Sequence, residues 1–176
     1  MNKDIEELYR HIYHPCGMAC SKPVSLREGA AYGAHVFNLN GSIIQFRTAK
    51  TTPLKMGQFV TFWKRAESGS IVPYDWQDPF NFLVVSVRLE NRLGHFVFPK
   101  SILIERRIVS NEGSEGRRAL RVYPDWCVSL NKQALRTQKW QIPYFLECSY
   151  NHAVDVRRVQ KLYRGDEADL ETSHAR

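Results

Sequence analysis

A lysine closes the stretch HFVFPK, residues 95–100. An ammonium at the tip of an apolar strand is either a solvated strand end or a group that steadies developing negative charge at a reacting centre. Acids that could join Lys100 are Asp75 and Asp78, upstream of the apolar run FNFLVVSV, and Glu90 and Glu105. A second cluster, HIYHPCGMAC, gathers His11, His14, Cys16 and Cys20, all zinc-ligand types. Its spacing matches no common finger or knuckle, and Pro15 and Gly17 mark a helix end there, so no metal is expected. A third pattern interleaves cations with aromatics: Trp63 beside Lys64 and Arg65, Tyr74 and Trp76 in one segment, Trp140 after Lys139, and Arg117, Arg118 and Arg121 ahead of Tyr123. Lys and Arg grip phosphates, and aromatic faces stack on unpaired bases. For tryptophans, packing in a core or on a surface is the commoner use.

The net charge of +7 over 176 residues is unevenly spread. Residues 42–65 hold Arg47, Lys50, Lys55, Lys64 and Arg65 without a single acid, and residues 106–140 carry a second excess, whereas 66–105 are net acidic. Blocks of this kind attract polyanions, of which nucleic acid is the commonest in a cell. The plainer use of such blocks is to solubilise a sheet. Arg121, flanked by Leu120 and Val122, points away from both and is placed to grip a phosphate bidentately.

The elements that must position these residues follow from periodicity. Ile5, Leu8 and Ile12 form a helical stripe over residues 3–13. Asn40-Gly41, between two β-rich runs, is a strong hairpin signal. After a break at Thr51, Thr52 and Pro53, QFVTFWKR alternates as one strand with a wetter face, ESGS (67–70) turns, and IVPYDWQDP is expected as a loop. FNFLVVSVRL is apolar almost throughout, as a central strand covered on both faces would be. ENRLG (90–94) turns it back into HFVFPK, with a short helix over residues 101–107 behind it. GSEG (113–116) is a loop, ALRVY a strand, Asn131 the N-cap of a helix through KQALRTQKWQ, and 153–164 a last helix. This is a mixed α and β chain with a central, largely antiparallel sheet flanked by helices. One domain over residues 1–165 and a polar tail at 166–176 are expected. The acids in the first helix argue against a secretory leader, and no apolar run is long enough to span a membrane, so the cytoplasm is expected.

Several blocks taken together, FNLNGSIIQFRTAKTTPLKMGQFVTFWKR, HFVFPKSIL, RALRVYPDW and QALRTQKWQ…YF, resemble the MepB-like family over about residues 33–147. The resemblance implies a fold related to the PD-(D/E)XK nuclease superfamily and a role tied to nucleic acid. In that superfamily an aspartate near one strand start, and a carboxylate two residues before a lysine on the next strand, hold Mg²⁺ and activate water. On this chain the aspartate falls on Asp78, with Asp75 as second candidate, and the lysine on Lys100. The carboxylate position falls on Phe98, which cannot ligate a metal.

The expected function is therefore a non-catalytic nucleic-acid-binding protein with no cofactor and no obligate metal. DNA and RNA, single and double strands, remain open at this point. The expected contacts are Arg47, Lys50, Lys55, Lys64, Arg65, Lys100, Arg117, Arg118, Arg121 and Lys139. Two alternatives stand beside it: a nuclease whose metal site is rearranged around Asp75, Asp78 and Glu90 or Glu105, and a basic protein-interaction module. No Gly-rich phosphate loop suggests a nucleotide-processing enzyme.

Overall fold

The computed structural model describes residues 2–148 and 153–165; the tail expected at 166–176 lies outside them. Helix α1 (Lys3–Leu8) is capped by Asn2, whose side chain accepts from the Asp4 amide, and it continues as a π-helical turn over Tyr9–Tyr13. Strands β1 (Val24–Ser25), β2 (His35–Leu39) and β3 (Ser42–Thr48) follow, and the β2–β3 hairpin turns at Asn40-Gly41. Both turn residues have positive φ, 50° and 87°, which is why Asn and Gly occupy them. Next come β4 (Lys50–Thr52), β5 (Lys55–Thr61), β6 (Trp63–Arg65), β7 (Ile71–Pro73), β8 (Phe82–Leu89) and β9 (Arg92–Pro99). Helix α2 (Lys100–Glu105), β10 (Ala119–Val122), α3 (Lys132–Gln141), β11 (Phe145–Glu147) and α4 (Val156–Arg164) complete the order.

The main sheet runs β1-β2-β3-β8-β9-β11, antiparallel except where β3 lies parallel to β8. β8 is central and buried from Phe82 to Val87, as a run apolar at every position but Ser86 requires. Its β9 hairpin turns over Glu90-Asn91 alone, with Leu89 opposite Arg92, so the turn is tighter than the five residues expected. One face of the sheet meets the first and last helices. Asp4 of α1 accepts from Ser86 at 2.8 Å and pairs with Arg88 at 2.8 Å, pinning the helix across β8.

Three expectations are corrected. QFVTFWKR is two strands: β5 ends at Thr61 and β6 begins at Trp63, with Phe62 between them, its amide donating to Arg118 O (2.9 Å) and its ring stacked on Tyr74 at 4.1 Å. β5 then pairs with β10 and β4, while β6 pairs with β7, so residues 71–73 of the supposed loop are strand. Residues 50–52 are strand too, and the break is confined to the Pro53-Leu54 turn.

Beneath α4, His95 is fully buried, with its Nδ1 3.8 Å from Cys148 Sγ and its ring 6.4 Å from that of Tyr163. Desolvation pushes the His95 imidazole down to about 3 and the Cys148 thiol up to about 12, so both are neutral. The unfolded histidine titrates near 6.5 while the folded one resists protonation, so stability is full above that pH and drains as pH falls toward about 3. Between pH 7 and pH 5 the loss is about 2 kcal/mol. Urea unfolding at the two pH values should show it, and His95→Gln should remove most of the difference. An equal pH dependence in that variant would assign the effect elsewhere.

Candidate nucleic-acid interface

Lys100 sits at the first position of α2, after β9 has paired back along β8 and brought it to the segment leading into β8. Its ammonium donates to two backbone oxygens, Trp76 O at 3.0 Å and Asp78 O, and lies 4.8 Å over the Phe80 ring. Burial lowers its pKa, and the negative charges of Asp78 and Asp75 push it back up. The expected approach to Asp78 is therefore real, but it is made to the carbonyl and not to the carboxylate. The Asp78 carboxylate faces elsewhere: Oδ1 accepts from Lys64 Nζ at 2.7 Å and Oδ2 from the Asp75 amide at 2.6 Å. Asp75 in turn caps the Gln77 amide at 3.0 Å.

Phe98 is fully buried, 5.3 Å from the Phe96 ring, 5.4 Å from Trp140 and 5.9 Å from Tyr144. Mg²⁺ wants several oxygens at about 2.1 Å. An aspartate already bridging a lysine and an amide, with a stacked phenylalanine at the other carboxylate position, does not fit that ion. Neither do His11, His14, Cys16 and Cys20: among the described residues no three His, Cys, Asp or Glu side chains gather to hold a metal. Glu90 stands in the β8–β9 turn, at the opposite end of that hairpin from Lys100, and Glu105 lies five positions along α2 from Lys100, 3.4 Å from Arg106 Nη2.

The cations divide sharply. β5 pairs antiparallel with β10, Thr61 opposite Ala119 and Gln58 opposite Val122, and this joins the two basic blocks of the sequence. α3 is docked onto that pair by Gln141, which donates to Arg121 O (3.0 Å) and accepts from the Tyr123 amide (2.9 Å). Between the strands and α3 lies an open groove of roughly 790 Å³. Lys55, Arg106, Arg117, Arg121 and Arg136 line it, and no Asp or Glu does. Arg121 Nη1 is fixed by Thr52 Oγ1 (3.0 Å) and Met56 O (3.2 Å), and the Arg106 guanidinium lies 5.3 Å over the Trp140 ring, with Glu105, outside the groove lining, 3.4 Å from its Nη2. Like charges held in one concave surface focus a positive potential there.

Other nominated cations stand outside this groove. Arg47 is corrected outright: it is 1% exposed, bonded to Phe46 O (2.7 Å) and Tyr74 Oη (3.3 Å), and 5.3 Å from the Phe62 ring. Alternation along β3 turns it away from the helices, and the chain around Phe62 and Tyr74 covers it. Lys64 is held by Asp78, Arg65 lies 3.7 Å from Glu28, and Lys50 lies 4.8 Å over the Tyr32 ring. Arg118 and Lys139 are exposed but do not line the groove. Arg106 and Arg136 do, and the sequence reading missed both. Arg136 was within reach of it, since Arg136 and Trp140 are four apart on one helix face. Arg106 was not, because only the fold brings α2 beside α3.

A family model described as MepB-like matches residues 27–147. Among solved structures, MepB is 34% identical, superimposes with a TM-score of 0.74, and the match covers 86% of this chain and 99% of that one. A bacterial homing endonuclease is 15% identical with a TM-score of 0.40, over 93% of this chain and 92% of the other, a likeness too distant to carry an argument. No curated protein sequence matches.

Proposed function

The chain belongs to the MepB-like family, and from that premise and the chemistry of its groove we propose that it is a non-catalytic nucleic-acid-binding protein. One observation carries the reading: five cations and no carboxylate share the groove between β5, β10 and α3. A solvating surface intersperses both signs, whereas a one-signed concave lining calls for a polyanion that follows it. Phosphates are its natural occupants, held by Arg and Lys without regard to base identity.

The same reading assigns no nuclease chemistry. Lys100 is a structural clamp that holds the 76–78 backbone against the end of β9. Asp78 is the counter-ion of Lys64.

Binding of labelled single- and double-stranded oligonucleotides over a salt series, with and without Mg²⁺ or Mn²⁺, tests both halves. Five phosphate contacts imply that affinity falls roughly 10²–10³-fold between 50 and 200 mM salt. The oligonucleotide should emerge intact whichever ion is present. Salt-insensitive binding would remove the groove reading, and metal-dependent cleavage lost in Asp78→Asn would revive the nuclease. No helix among the described residues is long and apolar enough to cross a membrane.

A further inference from the structure

We propose that the tip of the β4–β5 hairpin is a wedge that enters a base step of double-stranded nucleic acid lying in the groove. The inference rests on the nucleic-acid reading above and adds to it the strandedness of the ligand and a contact to bases.

The tip consists of Pro53 and Leu54, followed by Lys55 and Met56. Leu54 is 96% exposed and Met56 52%, and both belong to the groove lining. An isolated exposed leucine needs no explanation. This one stands, almost wholly hydrated, in the lining of a groove that holds five cations and no acid.

The tip is also stiff. Thr52 pairs with Lys55 across the two-residue turn, and Arg121 Nη1 ties Thr52 Oγ1, Met56 O and Gly57 O together at 3.0–3.4 Å. Gly57 has φ 74°, and a Cβ there would lie 2.7 Å from the Tyr123 ring, so the hairpin seats directly on β10. A phosphate-gripping arginine thus doubles as the anchor of an apolar point. With Lys55 and Arg121 engaging phosphates, the side chain projecting between them meets bases. Pro, Leu and Met are among the types that part base steps, the unstacking cost being offset by the added protein contact.

Short duplexes carrying 2-aminopurine at successive positions read the wedge directly, because the base brightens when unstacked. Wild-type protein should raise the fluorescence several-fold at one position relative to the bound site. Leu54→Ser should leave the probe dark on duplex that anisotropy shows to be bound. A bound duplex that brightens nowhere, or equally with Leu54→Ser, overturns the wedge and leaves the groove reading standing, as does binding confined to single strands. Unchanged duplex stacking together with Leu54-dependent binding to phosphatidylserine vesicles overturns it in favour of lipid. No binding to any oligonucleotide, read by anisotropy with unmodified bases, defeats both readings.

Discussion

Lys55→Glu, Arg117→Glu and Arg136→Glu together should abolish binding of the protein to oligonucleotides at moderate salt. The three side chains are exposed and line the groove from β5, the approach to β10 and α3. Their reversal leaves Arg106 and Arg121 facing three carboxylates. Losing three phosphate contacts removes the release of about three counterions, and the new anions repel the backbone besides. The combined loss is on the order of 10³-fold, and the salt slope should flatten by about 2.7 on a duplex. The loss should be the same for every sequence, because phosphate contacts carry no base information. Surface substitutions of this kind change stability by only about 0.5 kcal/mol each, so the melting temperature checks that the fold survives. A folded triple variant with wild-type affinity would mean that the groove is not the interface. Arg121 is left out deliberately, since it also holds the hairpin tip.

Phe98→Glu should unfold the domain instead of building a metal site. The position is the one where the superfamily resemblance calls for a carboxylate, so the substitution looks restorative on paper. In the fold it removes a ring packed among Phe96, Trp140 and Tyr144 and puts a charge in its place. Truncating a buried aromatic costs about 3–5 kcal/mol, and an unpaired buried carboxylate adds several more or forces its own protonation. Native domains have only about 5–15 kcal/mol in hand. The expected outcome is loss of the cooperative thermal transition, while Phe98→Leu keeps a lowered one. A Phe98→Glu protein melting within a few degrees of wild type would show that the strand end is far more open than the aromatic stack implies. Even then, Asp78 would have to leave Lys64 and the Asp75 amide before the two carboxylates met one ion.

Much of the scaffold was legible because its signals are local. Asn131 caps α3 through the Ala134 amide at 2.9 Å, and Asn40-Gly41 turns the β2–β3 hairpin through its own positive φ values. The nearly continuous apolar run of β8 implied burial on both faces. The MepB-like character also lay in the order of the residues, since the blocks that carry it are contiguous stretches.

Which cations work together was not local. Arg47 and Arg121 look alike in sequence, each a strand arginine directly after a large apolar residue, Phe46 or Leu120. One ends under Phe62 and Tyr74, and the other on the floor of the groove. Lys64 and Lys55 are nine residues apart in one acid-free block, yet a carboxylate from outside that block, Asp78, neutralises only the first. Arg106 joins Arg136 because α2 and α3 meet in space. Periodicity and turn chemistry determine most of the elements of this protein, because each acts over a few residues of chain, while the short strands β4, β6 and β7 depend on their partners. The sign and shape of its surface were decided by tertiary structure, because Coulomb's law and burial depend on distance through space and not along the chain.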